Sequence, residues 1–164
     1  MTYRFNFIES LTRKVNGVAL TNLHFRWLHR HGFGIQSPWA FEFVRDVLFE
    51  PLPYYVFSRL KGTRADQQLF RIALATAPHP LMLVDIGPGG LEYIRAAHAG
   101  ARIVPYSEST ITPDTCLVVD QIDGCNRALW LHVLGLPQTT TTFTGRRRGV
   151  AFFDPARQRQ NYYV

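Results

Sequence analysis

The stretch LMLVDIGPGG, residues 81–90, constrains the fold more than any other part of the chain. Leu81, Met82, Leu83 and Val84 form a continuous apolar run between Pro80 and Asp85, the pattern of a short buried strand. Asp85 stands at its C-terminal end. Gly87, Gly89 and Gly90 permit a tight turn and the close approach of another group to the backbone, because they carry no Cβ. Residues 91–99 read as a helix whose free N–H groups face that turn. Strand, acid, glycine turn and helix make the usual entrance to a nucleotide-type site in an open α/β sheet. The spacing is not G-x-G-x-x-G, so a dinucleotide fingerprint is absent. A plain strand–turn–helix corner is the alternative reading.

The remaining elements follow from local signals. Leu20, Leu23, Trp27 and Leu28 recur at helical spacing. His24, His29 and His31 lie nearby without the carboxylate or further histidine company at fixed spacing that a metal site needs, so they read as surface or interface histidines. Ser37 followed by Pro38 is a helix start, with Phe41, Val44, Val47 and Leu48 on the apolar face and Pro51 and Pro53 ending it. A further helix spans 64–76, with Thr63 as cap and Asp66 completing a capping box. Residues 102–106, with an edge-type Pro105, and 116–120 read as two more strands. Asp123 is positioned to cap a helix carrying Leu129, Trp130, Val133 and Leu134. The tail reads as a hairpin over 139–153, and residues 160–164 suit one more strand.

This order predicts a single α/β domain over 1–164, with a helical N-terminal extension (1–62) and a sheet core (63–164). The expected sheet has about five strands, parallel in the middle, with the hairpin as its antiparallel edge. Residues 81–84 and 116–119 are expected to be adjacent and parallel. A chain of 164 residues buries roughly 70% of its unfolded surface, enough for a real core. No window approaches the ~18 uninterrupted apolar residues of a membrane span. The start lacks the apolar core and cleavage site of a secretory leader. Cys116 opens an apolar strand and reads as a buried small hydrophobe. A cytoplasmic location is therefore expected.

The net charge is +6, carried almost wholly by arginine. The arginines are scattered, apart from Arg146, Arg147 and Arg148, and no nucleic-acid motif accompanies them, so nucleic acid is not the expected partner. Phe5, Phe7, Phe25, Trp27, Phe33 and Trp39 make the N-terminal part unusually aromatic, which points to self-association, a homodimer in the first instance.

Three stretches together carry a resemblance. In HGFGIQSPWAFEFVRDVLFEPLPYY it rests on Gly34, Ile35, Ser37, Pro38, Phe41, Pro53, Tyr54 and Tyr55. The second is LVDIGPGG, and the third runs from CLVVDQID through Trp130 to GVAFFDPARQRQNYYV. The chain resembles the class I S-adenosylmethionine-dependent methyltransferase-like proteins of the Bacteroidetes type, over most of its length. The resemblance implies a reduced three-layer Rossmann-like sheet with S-adenosylmethionine as cofactor and a small-molecule acceptor. Asp85 would then orient the glycine turn. Gly87 and Gly89, with Gly90 in the same turn, would cover the methionyl portion. Glu108 would accept the ribose hydroxyls, and Asp120 is the nearest candidate base.

The chain departs from the family between Tyr106 and Cys116. Only a short polar loop stands where the family has a third and a fourth strand. Asp123-Gly124 lacks the histidine of the family's Asp-Gly-x-His motif. Weak or absent catalysis is therefore the expectation. The alternative is a non-catalytic binding or interaction module, with Arg146, Arg147 and Arg148 as contacts for an acidic partner.

Overall fold

The computed structural model describes residues 34–164. The expected helix around Leu20–Trp27, the histidines 24, 29 and 31, and every aromatic of the proposed self-association surface except Trp39 lie outside that range.

Ser37 caps the first of the described helices, α1 (Pro38–Glu42), by accepting the Ala40 N–H at 3.3 Å. The helix then widens into a π-helical stretch over Phe43–Leu48. That stretch leaves carbonyls for side chains to satisfy. Arg71 Nε donates to Val47 O at 2.8 Å and Gln68 Nε2 to Leu48 O at 3.2 Å. Both donors lie on α3 (Arg64–Thr76), which follows a short α2 (Tyr55–Leu60). The α3 capping box forms as its residues predict, with Thr63 and Asp66 each receiving the other's backbone N–H. α3 then leads into β1 (Leu81–Val84), α4 (Pro88–Ala97) and β2 (Ile103–Pro105). β3 (Cys116–Asp120), α5 (Arg127–Gly135), β4 (Thr141–Thr144), β5 (Arg148–Phe152) and β6 (Gln160–Tyr163) complete the chain.

Among the described residues the strands form one mixed sheet of six, in the order β2-β1-β3-β5-β4-β6. β1 pairs in parallel with both β2 and β3, so residues 81–84 and 116–119 are neighbours as expected. β5 is antiparallel to β3 and to β4, and β6 runs parallel to β4. Side chains alternate between two cores. Leu81, Cys116, Val118, Val150 and Phe152 face the layer of α1, α3 and α4. Met82, Leu117, Val119 and Ala151 face α5 through Trp130 and Val133. On the first face Phe43 stacks on Phe143 at 4.9 Å and meets Phe152 edge-on at 5.1 Å. Burying one such ring contributes about 1.5–3 kcal/mol. On the second face the loop after β2 supplies Tyr106 and Ile111 to the same cluster as α5.

Two expectations are corrected. Parallel pairing joins β2-β1-β3 at one end of the sheet and β4-β6 at the other, and the middle joint, β3 against β5, is antiparallel. The β4–β5 hairpin is not the edge, because β5 lies inside and β6 is the outermost strand. The residues explain this. From Gly149 to Phe152 β5 is buried on both faces, which demands a neighbour on each side, whereas β6 begins with the half-buried Gln160 and Asn161. Two helix starts also differ. Gly87 is the N-cap of α4, so Gly89 and Gly90 belong to its first turn. Asn126, not Asp123, stands at the N-cap of α5.

The segment 34–62 shares the sheet's core through Phe43, Val44 and Leu48. Among the described residues no helix is long and apolar enough to cross a membrane.

Candidate functional site

The site is built where β1 and β3 end. Asp85 follows β1 with φ 59°, and Gln121 follows β3 with φ 57°. Both are in the left-handed region, which costs a non-glycine residue about 1 kcal/mol or more. The two side chains meet: Gln121 Nε2 donates to Asp85 Oδ2. Asn126 Nδ2 donates to that same oxygen at 3.3 Å and to the Asp120 carbonyl at 2.8 Å. The Cys125 thiol lies 3.5 Å from Asp85 Oδ2. The Gln121–Asn126 turn thus wraps the Asp85 carboxylate from the neighbouring strand, and its own backbone is closed by Asn126 N–H to Gln121 O at 3.2 Å.

Beside this knot opens a cavity of about 680 Å³. Phe49, Phe143, Val150 and Val164 make its apolar side. Asp85, Asp120, Gln121 and Gln68 make a polar wall, and Arg146, Arg147 and Arg148 come from the turn into β5. Arg148 binds across this wall. Its Nε and Nη2 donate to the two Asp120 oxygens at 2.5 and 2.7 Å, and its Nη1 to Ala65 O at 2.6 Å and Gln68 Oε1 at 3.2 Å. One guanidinium therefore sutures β5, β3 and the start of α3.

The residues expected to hold a cofactor are divided by the fold. Asp85 and Asp120 line the cavity; Gly87, Gly89, Gly90 and Glu108 do not. A Cβ on Gly87 would meet nothing within 4 Å, so that glycine does face open space. Gly90 is packed instead: a Cβ there would lie 2.5 Å from Leu69 Cδ1 and 2.8 Å from Ile86 Cγ2. At Gly89 the nearest group is the Asp66 carboxylate, at 3.7 Å. The first turn of α4, which would attract an anion, already has that carboxylate beside it. Glu108 pairs with His132 Nε2 at 2.7 Å. Tyr106 OH is 3.5 Å from the same oxygen, and burial together with Glu108 holds that phenol above its usual range.

Gln121, Asn126 and Cys125 were not legible as site residues. Their one signal was position, just beyond a strand that ends in an acid. A second cavity of about 570 Å³ lies beside β2, near His79, Arg102, Ser107 and Asp114, and contains none of the expected site residues. Among the described residues no group of three or more His, Cys, Asp or Glu side chains is placed to hold a metal ion.

The fold and site define an α/β protein with a ligand-sized cavity over the C-terminal ends of parallel strands. Compared with known protein families, with characterised proteins and with solved structures, the chain has no match.

Proposed function

We propose that the chain is a methyltransferase-like protein that binds S-adenosylmethionine or its demethylated product weakly, and transfers methyl groups slowly or not at all. The observation that carries the reading is Asp85. It stands in a left-handed conformation at the C-terminal end of a strand with parallel neighbours on both sides, at the edge of a cavity of about 680 Å³. Ligands of open α/β sheets bind in that crevice. The mixed α/β sheet is compatible with a reduced Rossmann-like fold, although antiparallel β5 lies inside it rather than at the expected edge.

The residues fit the cofactor in part. Among the described residues nothing bonds Asp85 Oδ1, which leaves it to accept from a ligand, and Gly87 leaves the backbone open. Gly90 is packed against Leu69 of α3, Gly89 has the Asp66 carboxylate beside it, and Glu108 is paired with His132. Methyl transfer is an in-line displacement, for which a protein chiefly supplies orientation. Asp120 is badly placed to act as base on an acceptor, because Arg148 occupies both its oxygens. This clamp is what favours the second reading, a non-catalytic binding module on the same sheet.

The homodimer, a small-molecule acceptor and a cytoplasmic location belong to the same proposal; light scattering at micromolar concentration tests the first. The central test is a thermal-shift titration with S-adenosylmethionine and S-adenosylhomocysteine. Binding to the folded state stabilises it by about 2.7 kcal/mol at a hundredfold excess over Kd. A shift without transfer of a labelled methyl group supports the proposal. Turnover at ordinary enzymatic rates overturns its catalytic half, and the absence of any shift overturns its cofactor half.

A further inference from the structure

The charges around the larger cavity are unevenly balanced. Asp120 is matched by Arg148. The Asp85 Oδ2 receives two amide donors and faces a thiol. Arg146 and Arg147 line the same cavity, are exposed, and form no ion pair among the described residues. The turn into β5 therefore holds two positive charges without an ion pair at the rim, against the single Asp85 carboxylate that no cation meets, so the lining stays net positive, while Phe49, Phe143, Val150 and Val164 present an apolar side. A volume of about 680 Å³ lies within the range of small-ligand sites.

From this we infer that the cavity binds a small organic anion with an apolar body, an alkyl or aryl carboxylate. The body lies against the phenylalanine and valine side, and the carboxylate sits at the rim under Arg146 and Arg147. Two arginines suit a carboxylate because each presents planar, directed N–H donors. Arg148 is not the anchor, since its donors are spent on Asp120, Ala65 and Gln68. The inference concerns the same cavity as the cofactor reading but does not rest on it: it uses the apolar side of Phe49, Phe143, Val150 and Val164 and the arginines of the turn into β5, and its probes include no S-adenosylmethionine.

Isothermal titration of the full chain tests it with three probes of one chain length: decanoate below its micellar concentration, decanol, and decyltrimethylammonium. Decanoate is expected to bind most tightly, and its affinity to fall with added salt as rim charges are screened. The double variant R146Q/R147Q should weaken decanoate about tenfold and leave decanol nearly unchanged. Both arginines are exposed, so folding is not at risk. Ala65→Phe, at an exposed α3 position that lines the cavity, should abolish binding of decanoate and decanol alike, with an unchanged melting temperature. Three results would overturn the inference: no decanoate binding, equal affinity for the anionic and cationic probes, or undiminished binding by either variant.

Discussion

Arg148 and Asp120 face each other across β5 and β3 in a two-pronged ion pair, with side chains only 10% and 23% exposed. Two parallel hydrogen bonds between planar groups give direction as well as attraction. The pair also reaches α3 through Ala65 O, so it spans both the sheet and the helical layer. Its first consequence concerns stability. Asp120→Asn removes the charge that matches a largely buried guanidinium, and should cost about 2–3 kcal/mol, somewhat below a fully buried pair because Asp120 keeps some water. Urea denaturation measures it. Replacing both partners, D120L with R148M, should recover part of the loss in a double-mutant cycle. A stability-neutral Asp120→Asn would show that the ion pair adds no net stability to the fold.

Two glycines make opposite predictions. At Gly149 a Cβ would stand 2.6 Å from three atoms of the Trp130 ring, which is rigid and 3% exposed. Gly149→Ala should therefore destabilise by about 2–3 kcal/mol through overpacking. Gly87→Ala meets no atom, at φ −68°, and should change stability by no more than about 1 kcal/mol. If Gly87 serves a ligand, that quiet variant will lose the thermal shift with S-adenosylhomocysteine. Urea midpoints and the titration separate the two effects.

Trp130 Nε1 donates to Thr144 Oγ1 at 3.2 Å, and that hydroxyl donates to Asn161 Oδ1 at 2.8 Å. Thr142 donates to the same Asn161 oxygen at 3.0 Å, so the chain of bonds ties α5, β4 and β6 together. Thr144→Val keeps the shape and strands the buried indole N–H. The expected cost is about 1–3 kcal/mol. Indole fluorescence during denaturation reports both the stability and the changed environment.

The two cysteines should differ sharply. Burial pushes the Cys116 thiol far above its ordinary value, while Cys125 is exposed. A water-soluble thiol reagent should modify one thiol per native chain, at Cys125, and the second only on unfolding. The same shift sets an alkaline dependence. The folded-state value lies above the unfolded one, so stability is complete below about pH 8.5 and falls as pH rises beyond it, because only the unfolded thiol can ionise. From this thiol alone the slope should approach about 1.4 kcal/mol per pH unit. Cys116→Ala should flatten it, although Tyr106 and Tyr162, also raised chiefly by burial, act at still higher pH.

The amino-acid sequence by itself determined the elements whose signals are local. Thr63 and Asp66 lie three residues apart and cap α3 where their spacing says. Ser37 and Pro38 start α1, and the apolar runs at 81–84 and 116–119 become β1 and β3, parallel and adjacent. Each of these rests on interactions within one turn, or on burial that a continuous apolar run requires. Tertiary structure alone decided the position of β5 inside the sheet, and with it the site. Arg148 finds Asp120 at a separation of 28 residues, and Gln121 finds Asp85 at 36. Gly90 likewise serves Leu69 of α3, although in sequence it reads as part of a ligand turn. A side chain's hydrogen bonds and close contacts depend on which strand or helix is folded beside it, and that choice is made by the burial of whole faces, not by neighbours along the chain.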